Sequence, residues 1–372
     1  MTTDQIHHPI DYRFLTIVGV LVLVGFVFLA SASGPLGYAK QAGDSFYYVK
    51  HQLFFGLVPG LFALYALSKI PYVFWKKWSW HMLLVSLALL VIVFIPGIGS
   101  EFGTSHSWIN IFELFSIQPA EIVKLTFLFY LAAWLEKRGV HGVKNFRSGF
   151  IPFFSVLCAI SLLIIAQPDI GTLSIIGAIA LSVYFAAGAP LAHIGILILG
   201  GLAAFGLLIA MAPYRAARFT TFLYPELDPQ GVGYHINQAL LAIGSGGFFG
   251  LGYGHSIQKF EYLPEVASDS IFAVFAEEMG FVFAVLLVLG FLWFFYRALK
   301  VAQSSPDAFG KYIVIGIASW IAIQAFVNIG SMVCLMPMTG VPLPFVSYGG
   351  TSLAINLAAI GVVLNVSRYA KR

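Results

Sequence analysis

Acidic residues at the edges of long apolar stretches are the positions in this chain best placed to do chemistry. The segment Glu261-Tyr-Leu-Pro-Glu-Val-Ala-Ser-Asp269 leads into one such stretch, and Glu277 and Glu278 follow inside it. Pro264 punctuates the approach, and Ser268 or Asp269 has the side chain of a helix N-cap. The uninterrupted apolar run starts only at Met279 and reaches Tyr296, about 27 Å of helix. Asp269 then stands roughly 15 Å outside that run, with Glu277 and Glu278 near its boundary. At about 100° per residue, Glu277 lies about 80° round from Asp269 and Glu278 faces the opposite side. The bland reading makes Asp269 a cap and the glutamates members of a buried ion pair. The chemical reading makes a carboxylate at a helix end beside a long loop a general base.

Four further groups have reactive types at useful spacing. In Gln118-Pro-Ala-Glu121-Ile-Val-Lys124, Pro119 suits a first helical turn, and Glu121 and Lys124 share a face three residues apart. They are either a local ion pair or a lysine able to hold a phosphate, oriented by the glutamate. Trp108, just before, suits a membrane interface. Gln167-Pro-Asp-Ile-Gly-Thr172 reads as a tight turn bearing one acid. Arg215 and Arg218 have the forked geometry that matches phosphate, against simple anchoring at headgroups. Pro342-Leu-Pro-Phe-Val-Ser-Tyr-Gly-Gly350, with Ser347, reads as irregular backbone, which is tolerated at membrane depth only when buried in protein or lining a cavity. No phosphate-binding Gly-Lys loop, dinucleotide fingerprint, zinc helix or nucleophile elbow is present, which argues against an ATP-driven pump or a serine hydrolase.

The elements that must position these groups follow from composition. Of 372 residues, 59% are hydrophobic and 10% charged, with a mean hydropathy of +0.89. That leaves too little polar surface to cover a water-soluble globule. The fold class expected is an all-α integral membrane protein of about ten transmembrane helices, one polytopic domain over residues 1–372. At roughly 20 residues per span, candidates are about 13–33, 49–68, 80–99, 119–135, 149–166, 170–188, 190–212, 269–297, 312–336 and 345–367. Ala30-Ser-Ala32 mimics a cleavage site, but the first stretch reads as an uncleaved helix. Cys158 and Cys334, isolated in apolar runs, read as small buried hydrophobes, and His7-His8 as incidental.

Lysines and arginines set the orientation. With both termini cytoplasmic, that side holds Arg13, Lys69, Lys76, Lys77, Lys137, Arg138, Lys144, Arg147, Arg297, Lys300, Lys311, Arg368, Lys371 and Arg372, fourteen of the 20 cations. Of the 16 acids only Asp4, Asp11, Glu136 and Asp307 share it. The remaining acids and a large loop, about 213–268 between helices 7 and 8, are expected on the extracytoplasmic face. Rich in Gly, Tyr and Phe, that loop is expected to be ordered.

In this order the motifs resemble the SEDS family of bacterial cell-wall proteins, which includes FtsW, RodA and SpoVE. The likeness runs end to end: Ser31-Ala-Ser, Trp108-Ile, 118–124, 167–172, Arg218, Gly231-Val-Gly-Tyr234, Gln238, Ala242-Ile-Gly-Ser-Gly-Gly247, Tyr262-Leu-Pro-Glu265, Asp269, Ile271-Phe-Ala, Glu277-Glu278, Asn328-Ile-Gly and 341–350. It implies a peptidoglycan glycosyltransferase that polymerises lipid II, the undecaprenyl-pyrophosphate disaccharide-peptide. It also implies work beside a class B penicillin-binding protein transpeptidase and other divisome or elongasome membrane proteins, without nucleic acid. The family's essential acid matches Asp269, and its glutamate and lysine match Glu121 and Lys124. Lys124, Arg215 and Arg218 become candidate phosphate partners, with Trp108, Lys259, Glu277 and Ser347 in binding or supporting roles. A divalent cation, Mg²⁺ or Mn²⁺, could assist the leaving group. The donor is α-linked and the polymer β-1,4, so transfer inverts the anomeric centre and needs a base. The sequence departs from the family pattern at Ser107 (after His106), His235, Ala239 and Ser270. Ser256-Ile-Gln-Lys259 looks more like the division than the elongation members. Two other readings remain open: a lipid II flippase, and a non-catalytic divisome scaffold.

Overall fold

The computed structural model describes residues 9–95, 99–102, 105–111, 115–211, 213–224 and 231–370; His7 and His8 lie outside them. Helices overlap each of the expected spans: α1 (Tyr12–Lys40), α2 (Tyr47–Lys69), α3 (Ser79–Ile92), α4 (Pro119–Lys144), α5 (Phe146–Ala166), α6 (Ile170–Ala186), α7 (Leu191–Ala210), α10 (Ile271–Gln303), α11 (Ala308–Met332) and α12 (Gly350–Arg368). Seven of them (α1, α2, α5, α7, α10, α11 and α12) are long and apolar enough to cross a membrane; α3 and α6 are shorter apolar helices. Between α7 and α10 stand α8 (Pro213–Leu223) and α9 (Val232–Ser245).

Several boundaries differ from expectation for local reasons. Helix α1 does not stop near residue 33 but continues through Pro35 to Lys40. Helix α3 ends at Ile92 rather than 99, because the chain enters a three-stranded antiparallel sheet of β1 (Gly99–Phe102), β2 (Ser105–Ile111) and β3 (Phe115–Ile117). Helix α4 runs beyond 135 across a break at Gly139. Helix α12 starts at Gly350 rather than 345, since Phe345 has φ of 65° and the preceding segment is irregular. Cys158 and Cys334 are free thiols, half-buried rather than fully so.

Helices α4, α11 and α12 form the centre, with α1, α6 and the first half of α10 packed round them. Helix α7 stands apart, most of its surface exposed. The irregular segment before α12 enters the bundle against α1 at Gly25, where a Cβ would come within 2.3 Å of the Phe345 carbonyl. Irregular backbone here is buried in protein, as its depth requires.

The largest departure is in α10. Gly280, with φ of 78° and ψ of −179°, breaks it in two, and its first half begins only at Ile271, so Asp269 lies outside the helix and the angular relation expected between it and Glu278 does not hold. The helical bonds lost at the break are replaced by the 247–252 segment. Leu251 N and Gly252 N donate to the Glu277 and Glu278 carbonyls at 3.0 and 2.9 Å. Phe281 N and Val282 N donate to Gly247 and Phe248 at 2.8 and 3.2 Å. A Cβ on Gly280 would come within 2.3 Å of Gly250 N.

Candidate active site

Asp269 sits just before α10, on a short piece of backbone clamped at three consecutive carbonyls. Tyr348 N donates to Ala267 O at 2.8 Å, the Ser347 hydroxyl donates to Ser268 O, and Asn328 Nδ2 donates to Asp269 O at 2.8 Å. Ser347 Oγ also accepts from Leu343 N at 2.8 Å, and Asn328 Nδ2 bonds Val341 O at 2.9 Å. Thus α11 and the segment before α12 together fix the position of the acid. Ser347, with both bonds of its hydroxyl made to backbone, braces this segment.

Asp269 is not the N-cap expected from sequence. The cap is Ser270, whose hydroxyl donates to Pro264 O at 2.8 Å and pairs with His235 Nε2 at 2.6 Å, capping no helix amide. The Ser268 hydroxyl lies 2.9 Å from Asp269 Oδ1 and 2.8 Å from Glu265 Oε2, so one proton is shared between two carboxylates.

On α4, Glu121 and Lys124 form a 2.6 Å ion pair, with side chains 3% and 2% exposed. Lys124 Nζ also donates to Gln324 Oε1 at 2.9 Å and lies 4.7 Å from the Trp320 ring centroid. Gln324 in turn bonds Trp320 Nε1 at 2.8 Å and Pro342 O at 2.9 Å. The local ion pair is therefore realised, and it is braced against the same segment that clamps Asp269. Gln324 and Trp320 escaped notice in the sequence; a glutamine inside an apolar helix was the signal.

Asp269, Glu121 and Lys124 line one cavity of about 1600 Å³. Trp108, on β2 opposite Ser100, joins its wall, as do Asp169, Lys259 and Glu265. Asp169 caps α6 through Thr172 N at 2.9 Å and accepts from Gln118 Nε2 at 3.3 Å. Aromatic rings line the cavity as well, with Tyr348 OH 2.9 Å from His51 Nδ1.

Glu277 and Glu278 hold the loop to the bundle. Glu277 accepts from Ser256 Oγ at 2.5 Å and Ile257 N at 3.0 Å. Glu278 Oε1 accepts from Lys259 Nζ at 2.8 Å and from Ser31 Oγ on α1 at 2.6 Å. Lys259 thus lines the cavity while its ammonium is held by Glu278, Ser31 and Gly254 O. Arg215 and Arg218 fall on α8, and their side chains lie outside the described residues.

Comparison with known proteins identifies the family of the chain. A profile of the family described as Cell cycle protein (FtsW, RodA, SpoVE) matches residues 12–372. Stage V sporulation protein E of Bacillus subtilis is 41% identical over 361 residues, covering 97% of this chain and 98% of that protein. A probable peptidoglycan glycosyltransferase FtsW of Trichlorobacter lovleyi is 39% identical over 361 residues, covering 96% and 93%. Among solved structures, a chain of a peptidoglycan synthase complex that coordinates polymerisation and crosslinking superposes with a TM-score of 0.78 at 26% identity, covering 96% and 98%. RodA of Thermus thermophilus superposes at 0.71 with 28% identity, covering 98% of each chain. The chain is a multi-pass membrane protein and belongs to the SEDS family of FtsW, RodA and SpoVE.

Proposed function

We propose that this chain is a peptidoglycan glycosyltransferase that polymerises lipid II at the outer face of the bacterial cytoplasmic membrane. One observation carries the reading: a backbone-clamped acid, Asp269, and a buried Glu121–Lys124 pair face the same large cavity. The cation asymmetry supports ten spans with both termini cytoplasmic, which puts Asp269 on the outer side.

In this reading the Asp269 carboxylate takes the proton from the acceptor sugar's hydroxyl as that oxygen attacks the anomeric carbon of the donor. The anomeric C–O bond to pyrophosphate breaks on the opposite side, so the α-linkage becomes β. The Lys124 ammonium, held against Glu121 on the cavity wall, would offset charge on the leaving pyrophosphate. Arg215 and Arg218, as further phosphate partners in this reading, belong to α8, the helix whose Phe219 lines the same cavity. Among the described residues no three His, Cys, Asp or Glu side chains group as metal ligands. A Mg²⁺ or Mn²⁺ ion would therefore take one or two cavity carboxylates with the substrate's phosphates, where it would offset charge on the leaving group. A class B penicillin-binding protein as partner is supported by the likeness to a chain of a peptidoglycan synthase complex. A role in division is supported by Ser256-Ile-Gln-Lys259 and by the FtsW-type relatives.

Fluorescent lipid II presented to the purified chain with such a partner, in detergent and in vesicles, tests the reading. Glycan polymer is expected. Translocation of lipid II without polymer would replace the enzyme by a flippase, and neither outcome would leave a scaffold.

A further inference from the structure

Part of the wall of the cavity that Glu121 and Lys124 line is aromatic, and the proposed reaction assigns it no work. Tyr47, Tyr48, His51 and Phe55 follow one another along the first turns of α2, and Tyr348 meets them from the segment before α12; all five line the cavity. The rings hold each other. Tyr48 packs edge-on to Tyr348 with centroids 5.1 Å apart and planes at 89°, His51 lies 4.6 Å from Phe55, and the Tyr348 hydroxyl meets His51 Nδ1 at 2.9 Å.

Two observations separate this group from ordinary interfacial aromatics. Belt residues face lipid, whereas Tyr48, His51 and Tyr348 are half-buried, bonded to one another and turned to the cavity. The group is also tied to the acid: Tyr348 N bonds Ala267 O, two residues before Asp269. Polar groups rim it, since Gln41 and Glu265 line the same cavity.

A pyranose ring has the matching shape. One face is a patch of C–H bonds, which settles on an aromatic plane, and its edge is a rim of hydroxyls, which need carboxylate or amide partners. Apolar walls with a few convergent polar groups are the usual make-up of a small-molecule site. We propose that Tyr48, His51 and Tyr348 form a saccharide subsite that stacks a sugar ring of the substrate or of the growing glycan beside Asp269. This rests on the glycosyltransferase reading for its biological ligand, but the binding itself is separable from catalysis.

The test uses the purified full-length chain and a lipid-free, phosphate-free probe, the N-acetylglucosaminyl-N-acetylmuramyl pentapeptide. Binding is followed by saturation-transfer NMR, and polymerisation of lipid II with the partner is measured in parallel. Tyr48→Leu is expected to weaken probe binding roughly tenfold, the equivalent of about 1.4 kcal/mol, while Tyr48→Phe, which keeps the ring, stays within about twofold of wild type. If the stacked sugar belongs to incoming lipid II, Tyr48→Leu raises KM; if it belongs to the glycan, product chains shorten. Should Tyr48→Leu fail to fold, His51→Leu is read on the same measures. Probe binding that is absent from wild type, or unchanged in folded Tyr48→Leu, overturns the subsite. Ring-dependent binding in a protein that makes no polymer would instead remove the glycosyltransferase reading and leave the subsite standing.

Discussion

Substituting Lys259 by methionine keeps the length of the side chain and deletes the ammonium that bonds Glu278 Oε1 at 2.8 Å, Ser31 Oγ at 3.0 Å and Gly254 O at 2.7 Å. Both members of the pair are buried, with side chains 4% and 0% exposed. Glu278 Oε2 has no hydrogen-bond partner, so the carboxylate depends on what Oε1 receives. Removing one member of such a pair costs about 3–5 kcal/mol, chiefly for the charge left behind. Glu278→Gln in the same background removes that charge and keeps an oxygen to accept from Ser31. The double variant is therefore expected to regain about 1–3 kcal/mol of the loss. Unfolding by SDS titration, on the two single variants and the double, reads the coupling directly. Lys259→Met at wild-type stability, or two single losses that simply add, would refute the view that this pair fastens the loop to α1 and α10.

Three other substitutions probe the scaffold of the site. Gly280→Ala places a Cβ within 2.3 Å of Gly250 N at a φ of 78°. The strain of about 1–3 kcal/mol, with weakened bonds to 247–252, should lower thermal stability in detergent; a wild-type melting curve would contradict the helix break. Asn328→Leu leaves the Asp269 and Val341 carbonyls without its amide, at about 1–3 kcal/mol for each buried group left unpaired, so both stability and polymerisation rate should fall. Lys124→Met strands Glu121, whose Oε2 already lacks a partner, and should destabilise by about 3–5 kcal/mol. Adding Glu121→Gln should restore stability, measured by SDS unfolding, but not polymerisation if the lysine's charge serves the pyrophosphate.

The helices were legible because spans of some twenty apolar residues in a chain with 10% charged residues admit little else. The acids were legible as outliers against that background. What escaped reading depended on contacts distant in sequence. The apolar run after Met279 hides the break at Gly280, since a helical period cannot show that 247–252 supplies the missing bonds. Glu277 and Glu278 read as members of a buried ion pair, which Glu278 forms with Lys259, but their bonds to Ser256, Ile257 and Ser31 come from segments no helical period could bring together. The sheet around Trp108 was missed because 99–117 is short and mixed in pattern. The clamp on residues 267–269 comes from positions 59 to 81 residues further along the chain, and no local spacing could announce it.

Polymerisation of fluorescent lipid II by purified Asp269→Asn, together with the partner transpeptidase, is the most direct measurement of the central claim. Asparagine keeps the shape and the Asn328 bond to the backbone but cannot accept the proton. The account predicts unchanged folding, retained binding of lipid II and a rate lowered by at least about 100-fold, the usual worth of a general base. Glycan strands formed by Asp269→Asn at the wild-type rate would contradict it.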